Sequence, residues 1–130
     1  MNPDLVAIAP KELSEILAEE VGDRVIGQFD RLYLLRGKAK PNWAQNIWLK
    51  PETFKFKSIS EAAKKLKSVQ RSWWLHTTNF HRRAQLIQDQ LPPIKQKPIE
   101  FLDKMPTAPL GSWTLLDEDT MVFSAECTSV

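Results

Sequence analysis

The spacing of apolar residues along the chain predicts three amphipathic helices with recognisable ends. Gly22 follows the first helical pattern and is suited to a left-handed C-cap. Ser58 and Glu61 have the spacing of a capping box, which marks the start of the second helix. Pro92 stops the third. The predicted helices cover residues 11–21, 59–70 and 80–91.

Short apolar or alternating segments between these helices predict strands. Residues 54–57 alternate phenylalanine with lysine, a pattern typical of a half-buried strand with a basic outer face. Residues 117–120 are polar and separate two apolar segments, which predicts a C-terminal hairpin. Residues 42–51 are tryptophan-rich and predict an irregular segment. The predicted strands cover residues 6–9, 24–29, 32–36, 54–58, 72–76, 112–116 and 121–125, and a short strand is a further candidate at 99–101.

The order strand, helix, strand, strand, helix, strand favours an α+β fold. We expect a ferredoxin-like, mainly antiparallel sheet with three helices and the C-terminal hairpin, in a single domain over residues 1–130. A composition with 42% hydrophobic and 26% charged residues is typical of a globular protein. The sequence has no apolar run of membrane-spanning length and no signal-peptide pattern, so we expect a cytoplasmic protein without a membrane partner.

Charge is strongly segregated along the chain. Residues 55–83 carry eight bases and one acid, and residues 31–54 carry five bases and one acid. The segments on either side are acidic, which leaves a formal net charge of only +2. A basic centre of this kind favours a polyanionic partner, although solvated helix and strand faces would produce the same pattern.

Catalytic motifs are absent from the sequence. There is no glycine-rich phosphate loop, no HExxH and no CxxC, so we expect no catalytic residue, metal or cofactor in this chain. Cys127 would need a positioned base, and His76 or His81 could serve only through tertiary proximity. The acids of residues 117–119 are explained by a turn.

Basic and aromatic residues near the centre suggest nucleic-acid recognition. Trp73 and Trp74 are adjacent on a predicted strand, so both cannot point inward. Cations with an exposed aromatic ring are what RNA-binding surfaces use. For Trp43 and Trp48 we favour core anchoring over a stacking role. The predicted RNA-binding residues are Lys64, Lys65, Lys67, Arg71, Trp74, His81, Arg82 and Arg83.

Four segments, taken in order, resemble one region of a known family. They are residues 43–48, 56–62, 81–87 and 109–117. The chain, from about residue 5 to 127, is similar to the part ahead of the catalytic domain in FtsJ-type, RlmM-like ribose 2′-O-methyltransferases. In that family this region is a THUMP-type or ferredoxin-like RNA-binding module, and a Rossmann-like S-adenosylmethionine domain follows.

The resemblance implies that this chain is an accessory domain whose catalytic domain lies outside it. Its expected role is substrate recognition in rRNA modification, with ribosomal RNA and the methyltransferase domain as partners. No position matches the family's cofactor loop or catalytic lysine–aspartate set, so S-adenosylmethionine would belong to the full-length enzyme alone. The alternatives are a stand-alone protein-interaction module and, least favoured, an intact small enzyme.

Overall fold

The computed structural model describes residues 2–10, 12–67, 72–74, 80–91 and 110–129, with the backbone alone at 72–74, 110, 128 and 129. These residues form eight strands and three helices; the α+β fold class and the three helices are as predicted. The helices are α1 (Ser14–Val21), α2 (Ile59–Lys67) and α3 (His81–Gln88). The strands are β1 (Leu5–Ile8), β2 (Val25–Phe29), β3 (Leu32–Leu35), β4 (Asn46–Leu49), β5 (Glu52–Lys55), β6 (Ser72–Trp74), β7 (Leu110–Leu115) and β8 (Thr120–Ser129).

The strands form one mainly antiparallel sheet. Their order is β2-β3-β1-β4-β8-β7-β6, and β5 pairs with β8 beside this path. Among the described strands only β6 and β7 pair in parallel. β3 lies between β1 and β2, which is the arrangement of a split β-α-β unit. The predicted C-terminal hairpin is confirmed as β7–β8.

β4 corrects the prediction that residues 42–51 are irregular. It pairs with β1 on one side and β8 on the other, so it is a central strand. Ile47 and Trp48 are each 1% exposed although adjacent side chains of a strand point to opposite faces. A strand that is buried on both faces does not alternate apolar and polar residues, and β4 has only four residues, so its sequence carries no clear strand pattern.

The helix positions are confirmed, but their boundaries differ. α1 begins at Ser14 instead of residue 11, because a turn in which the Leu13 amide donates to the Pro10 carbonyl (3.1 Å) precedes it. Gly22 ends α1 with φ +50°, a positive φ that favours glycine, but its ψ of −121° differs from the left-handed helical C-cap that the sequence predicts. α3 is shorter than predicted at its C-terminal end. The remaining predicted parts of these elements, residues 68–70 and 75–76, and the candidate strand at 99–101 lie outside the described residues.

All three helices pack on the same face of the sheet. α1 buries Leu17 with Ile47 of β4, while α2 and α3 bury Leu66 and Ile87 with Phe123 of β8. On the opposite face Trp48 of β4 and Val122 of β8 belong to one cluster. Ile47 and Phe123 are their immediate neighbours along the strands and therefore both point to the helical face. This arrangement leaves the outer flanks of the helices for solvent.

Candidate nucleic-acid interface

α2 presents lysines to solvent because its apolar residues fix its orientation. The Glu61 amide donates to Ser58 Oγ (3.1 Å), the N-cap contact that the capping-box pattern predicts. Ala62 and Leu66 are fully buried against the sheet, whereas Lys64 and Lys67 are exposed. Residues three apart are neighbours on a helix surface, so these two lysines share one flank.

Lys65 lies on the other flank of α2. Its Nζ is 5.4 Å from the centroid of the Phe54 ring on β5, within the range of a cation–π contact. It also lines a cleft of about 400 Å³ at the junction of β4 and β5, together with Lys50, Glu52 and Glu126. Two carboxylates balance two lysines there, so the cleft has no preference for an anion. Lys65 is thus separated from Lys64 and Lys67.

Arg83 of α3 has a structural role. Its Nε donates to the Glu118 carbonyl in the β7–β8 turn, and its guanidinium lies 5.7 Å from the centroid of the Phe56 ring. These contacts fasten the first turn of α3 to the end of the hairpin. The neighbouring residues His81 and Arg82 are exposed. Of the predicted arginines, Arg82 is the one that the described structure places with its side chain exposed.

α2 and α3 both start at the sheet edge formed by the β7–β8 turn. The Phe56 amide, just before α2, donates to the Asp119 carbonyl (2.8 Å), and Arg83 reaches Glu118 in the same turn. Lys67 is eight residues after Ile59, which places it about 12 Å further along the helix axis. The predicted cations therefore spread along the helices from this edge instead of forming one compact pocket.

Two exposed lysines at this edge were not among the predicted site residues. Lys55 and Lys57 flank Phe56. The alternation of phenylalanine and lysine over residues 54–57 was the sequence signal for their exposure. Lys55 Nζ is 3.9 Å from Asp119 Oδ2, but both side chains are largely solvated, so this ion pair contributes little. We use the name α2–α3 basic surface for Lys57, Lys64, Lys67 and Arg82.

Two of the predicted RNA-binding residues cannot be placed on this surface. Arg71 lies outside the described residues, and for Trp74 the structure gives only its backbone in β6. Both stay predictions.

The two tryptophans near β4 differ from each other. Trp48 is 1% exposed and is a core anchor, as predicted. Trp43 is 49% exposed, so the prediction that it anchors the core is wrong. It lies in the connection between β3 and β4, where Lys38 and Lys40 are also exposed. The mixed basic and aromatic composition of residues 36–43 was the sequence signal that could have indicated an exposed Trp43.

The chemistry of Cys127 argues against a thiol nucleophile. Burial raises the pKa of its thiol to about 12, despite hydrogen bonds involving Ser124 and Ser112 that act in the opposite direction. The thiol is therefore protonated at neutral pH. Within the described ranges, no group of three or more histidine, cysteine, aspartate or glutamate side chains is placed to hold a metal ion. The described helices include none with the length and apolar character that crossing a bilayer requires.

In the β7–β8 turn Asp117 carries a perturbed carboxyl. Partial burial raises its pKa, but hydrogen bonds from the Asp119 amide (3.0 Å) and from Thr120 outweigh it, so the pKa of Asp117 is lowered. The carboxylate thus organises the turn that Arg83 contacts.

Comparison of the chain with protein-family models, with curated proteins and with solved structures found no match.

Proposed function

We propose that this chain binds structured RNA through the α2–α3 basic surface. The observation that carries the proposal is the exposure of Lys64, Lys67 and Arg82, none of which has a described acidic side chain within ion-pair distance. Exposed cations on a fixed scaffold attract phosphates, and their binding releases counterions condensed on the RNA. Phosphate contacts of this kind position an RNA without selecting its sequence.

The resemblance to RlmM-like methyltransferases gives this binding a purpose. We propose that the chain is the substrate-recognition domain of a cytoplasmic, S-adenosylmethionine-dependent rRNA ribose 2′-O-methyltransferase. Methyl transfer requires one ribose to be held in line with the cofactor. An appended domain supplies that positioning by binding the surrounding phosphates. Ribosomal RNA and the catalytic methyltransferase domain are the partners in this proposal.

The first test measures the affinity of a labelled 20-base-pair RNA hairpin at several salt concentrations. The variant Lys64→Gln/Lys67→Gln is expected to bind more weakly and to reduce the slope of log affinity against log salt by about one for each lost phosphate contact. Arg82→Gln is expected to act in the same direction with half the change in slope.

The matched control is Arg31→Gln/Lys50→Gln, which removes the same charge from positions outside the α2–α3 basic surface. If the control weakens binding as much as the α2 variant, the attraction comes from net charge and the surface assignment fails. Hairpin affinity that does not change with salt would mean that phosphate contacts do not carry the binding, which would contradict the proposal. Absence of hairpin binding at low salt would overturn the proposal.

A second test concerns the cofactor. The chain has four glycines, at positions 22, 27, 37 and 111, and none belongs to a glycine-rich turn from a strand into a helix. We therefore propose that S-adenosylmethionine binds only to the catalytic domain. Titration calorimetry with this chain is expected to show no saturable heat, and saturable micromolar binding would contradict the assignment.

A further inference from the structure

The connection between β3 and β4, residues 36–45, is irregular but firmly held. We call it the β3–β4 loop. The guanidinium of Arg24 donates to three carbonyls of the loop, those of Arg36 (2.8 Å), Gly37 (3.0 Å) and Ala39 (2.7 Å). A rigid fork of donors fixes the path of this backbone. The first half of the loop thus has one defined conformation.

The second half is fixed by a different residue. Glu20 on α1 accepts the Asn42 amide at Oε2 (2.6 Å) and the Trp43 amide at Oε1 (2.9 Å). Asp4 accepts the Gly37 amide (2.8 Å) at the start of the loop. Hydrogen bonds to charged groups are among the stronger ones in proteins. Three charged side chains therefore hold the backbone of the loop.

The side chains of the loop divide into anchors and exposed groups. Pro41 and Ala44 are buried. Lys38 and Lys40 are exposed, and Trp43 leaves 49% of its surface to solvent. Lys40 and Trp43 are three residues apart, so their Cα atoms are at most about 11 Å from one another. One exposed indole and two exposed lysines thus lie within one short, fixed segment of backbone.

We propose that the β3–β4 loop binds single-stranded RNA, with Trp43 stacked on an unpaired base and Lys38 and Lys40 on the flanking phosphates. The inference rests on the proposed RNA-binding function and adds a second, chemically different contact to it. Base stacking on an aromatic ring tolerates any base, and lysines beside it follow the backbone. Because the loop is held before the ligand arrives, little ordering entropy is lost on binding.

Charge decides between RNA and a protein partner for this loop. Residues 31–51 contain five bases and no acid, whereas an apolar protein interface would favour uncharged neighbours around the tryptophan. The nearest acidic groups in the hydrogen-bond network, Glu20 and Asp4, already accept loop amides. An exposed ring beside two exposed lysines, neither of which is in an ion pair with a described acidic side chain, is the arrangement that an anionic, stacking ligand fits.

The experiment uses an RNA of eight uridines with 2-aminopurine replacing one base and fluorescein at the 5′ end. Wild-type protein is expected to bind it and to quench the 2-aminopurine emission, because stacking on an indole quenches that base. Trp43→Leu is expected to abolish the quenching and to weaken binding about 5- to 150-fold, the usual effect of losing one stacked base. Trp43→Phe should retain most of both signals.

Two further variants separate stacking from charge. Lys38→Gln/Lys40→Gln is expected to lower the salt slope by about 1.4, since each single-strand phosphate contact contributes about 0.7, while the quenching at saturation persists. Leu86→Ala is the matched control, because Leu86 on α3 is also 49% exposed. It is expected to change neither signal. Equal affinity and quenching in wild type and Trp43→Leu would overturn the inference.

The outcomes distinguish this inference from the proposed function. If hairpin binding depends on Lys64 and Lys67 but binding of the uridine RNA does not depend on Trp43, the proposed loop contact is wrong and the α2–α3 basic surface stands. If binding of the uridine RNA depends on Trp43 but hairpin binding does not depend on Lys64 and Lys67, the loop contact stands and the proposed role of the α2–α3 basic surface is wrong. Failure to bind either RNA at low salt overturns both.

Discussion

The α2–α3 basic surface and the β3–β4 loop both expose cations, but different interactions hold them in place. Lys64 and Lys67 project from a regular helix whose orientation is set by buried Ala62 and Leu66. In the loop, Lys38 and Lys40 project from irregular backbone. Arg24 donates hydrogen bonds to its carbonyls, and the carboxylates of Glu20 and Asp4 accept from its amides. The helix surface depends on apolar packing, and the loop depends on a few directional contacts.

This difference teaches which changes each surface tolerates. A packed helix keeps its exposed side chains in place as long as its core contacts remain, so substitutions on its outer flank change the free energy of unfolding little. The loop has fewer buried residues, and removing a single donor releases several carbonyls at once. Mutations should therefore disturb the helix surface through the core and the loop through its hydrogen bonds.

The largest effect is expected from Leu66→Ala. Leu66 is fully buried in the cluster that joins α2 and α3 to β7 and β8. Removing its side chain should lower the free energy of unfolding by about 2–5 kcal/mol, through lost transfer energy and a residual cavity. Chemical denaturation measures this loss, and Lys67→Ala on the next residue is the control, with an expected change within about 0.5 kcal/mol. A loss below 1 kcal/mol for Leu66→Ala would mean that packing does not hold α2.

A smaller effect is expected from Arg24→Lys, which keeps the charge and removes the fork of donors. Three hydrogen bonds are lost or weakened in an exposed region, so stability should fall by about 1–3 kcal/mol. The affinity for the uridine RNA should also fall while its salt slope stays the same, because no cation is removed. Arg31→Lys in the β2–β3 turn is the matched control. Unchanged stability and affinity in Arg24→Lys would show that the loop does not need this contact.

Gly37→Ala should have an effect of about 1–2 kcal/mol on stability. Gly37 has φ +83°, a conformation that costs other residues about this much. A Cβ there would meet Arg24 Nε at 3.6 Å, an ordinary contact, so strain and not a clash is the cause. Thermal unfolding measures the loss, and Gly37→Asn is expected to lose less because asparagine tolerates positive φ better. Equal losses for alanine and asparagine would argue against backbone strain.

The smallest effect on stability is expected from Lys64→Gln/Lys67→Gln. Both side chains are exposed and without described ion pairs, so the free energy of unfolding should change by no more than about 0.5 kcal/mol. Arg83→Gln should cost more, because Arg83 contacts Glu118 and Phe56. Denaturant unfolding of both proteins gives the comparison. A double lysine variant less stable than Arg83→Gln would make these lysines structural.

Local sequence was sufficient for the helices and the C-terminal hairpin. The apolar spacing of residues 59–70 and the Ser58 cap predicted α2, and the polar segment 117–120 predicted the β7–β8 hairpin. Helical spacing also separated Lys65 from Lys64 and Lys67, since residues one or two apart do not share a face. These signals are local because helix and hairpin contacts join residues close in the chain.

Tertiary contacts decided the rest. β4 forms because β1 and β8 pair with both of its edges, and residues 46–49 alone do not specify those partners. Arg83 and Arg82 are adjacent in sequence, yet the position of the β7–β8 turn gives one a structural contact and leaves the other exposed.

By itself the sequence determined an α+β chain with three helices, a terminal hairpin and a basic centre. Only the tertiary structure decided that Trp43 faces solvent while Trp48 is buried, and that residues 36–45 have a fixed path. The contacts responsible join residues 12 apart between Arg24 and Arg36 and 33 apart between Asp4 and Gly37. Such contacts form only after the strands have brought distant segments together, so no local pattern of side chains encodes them.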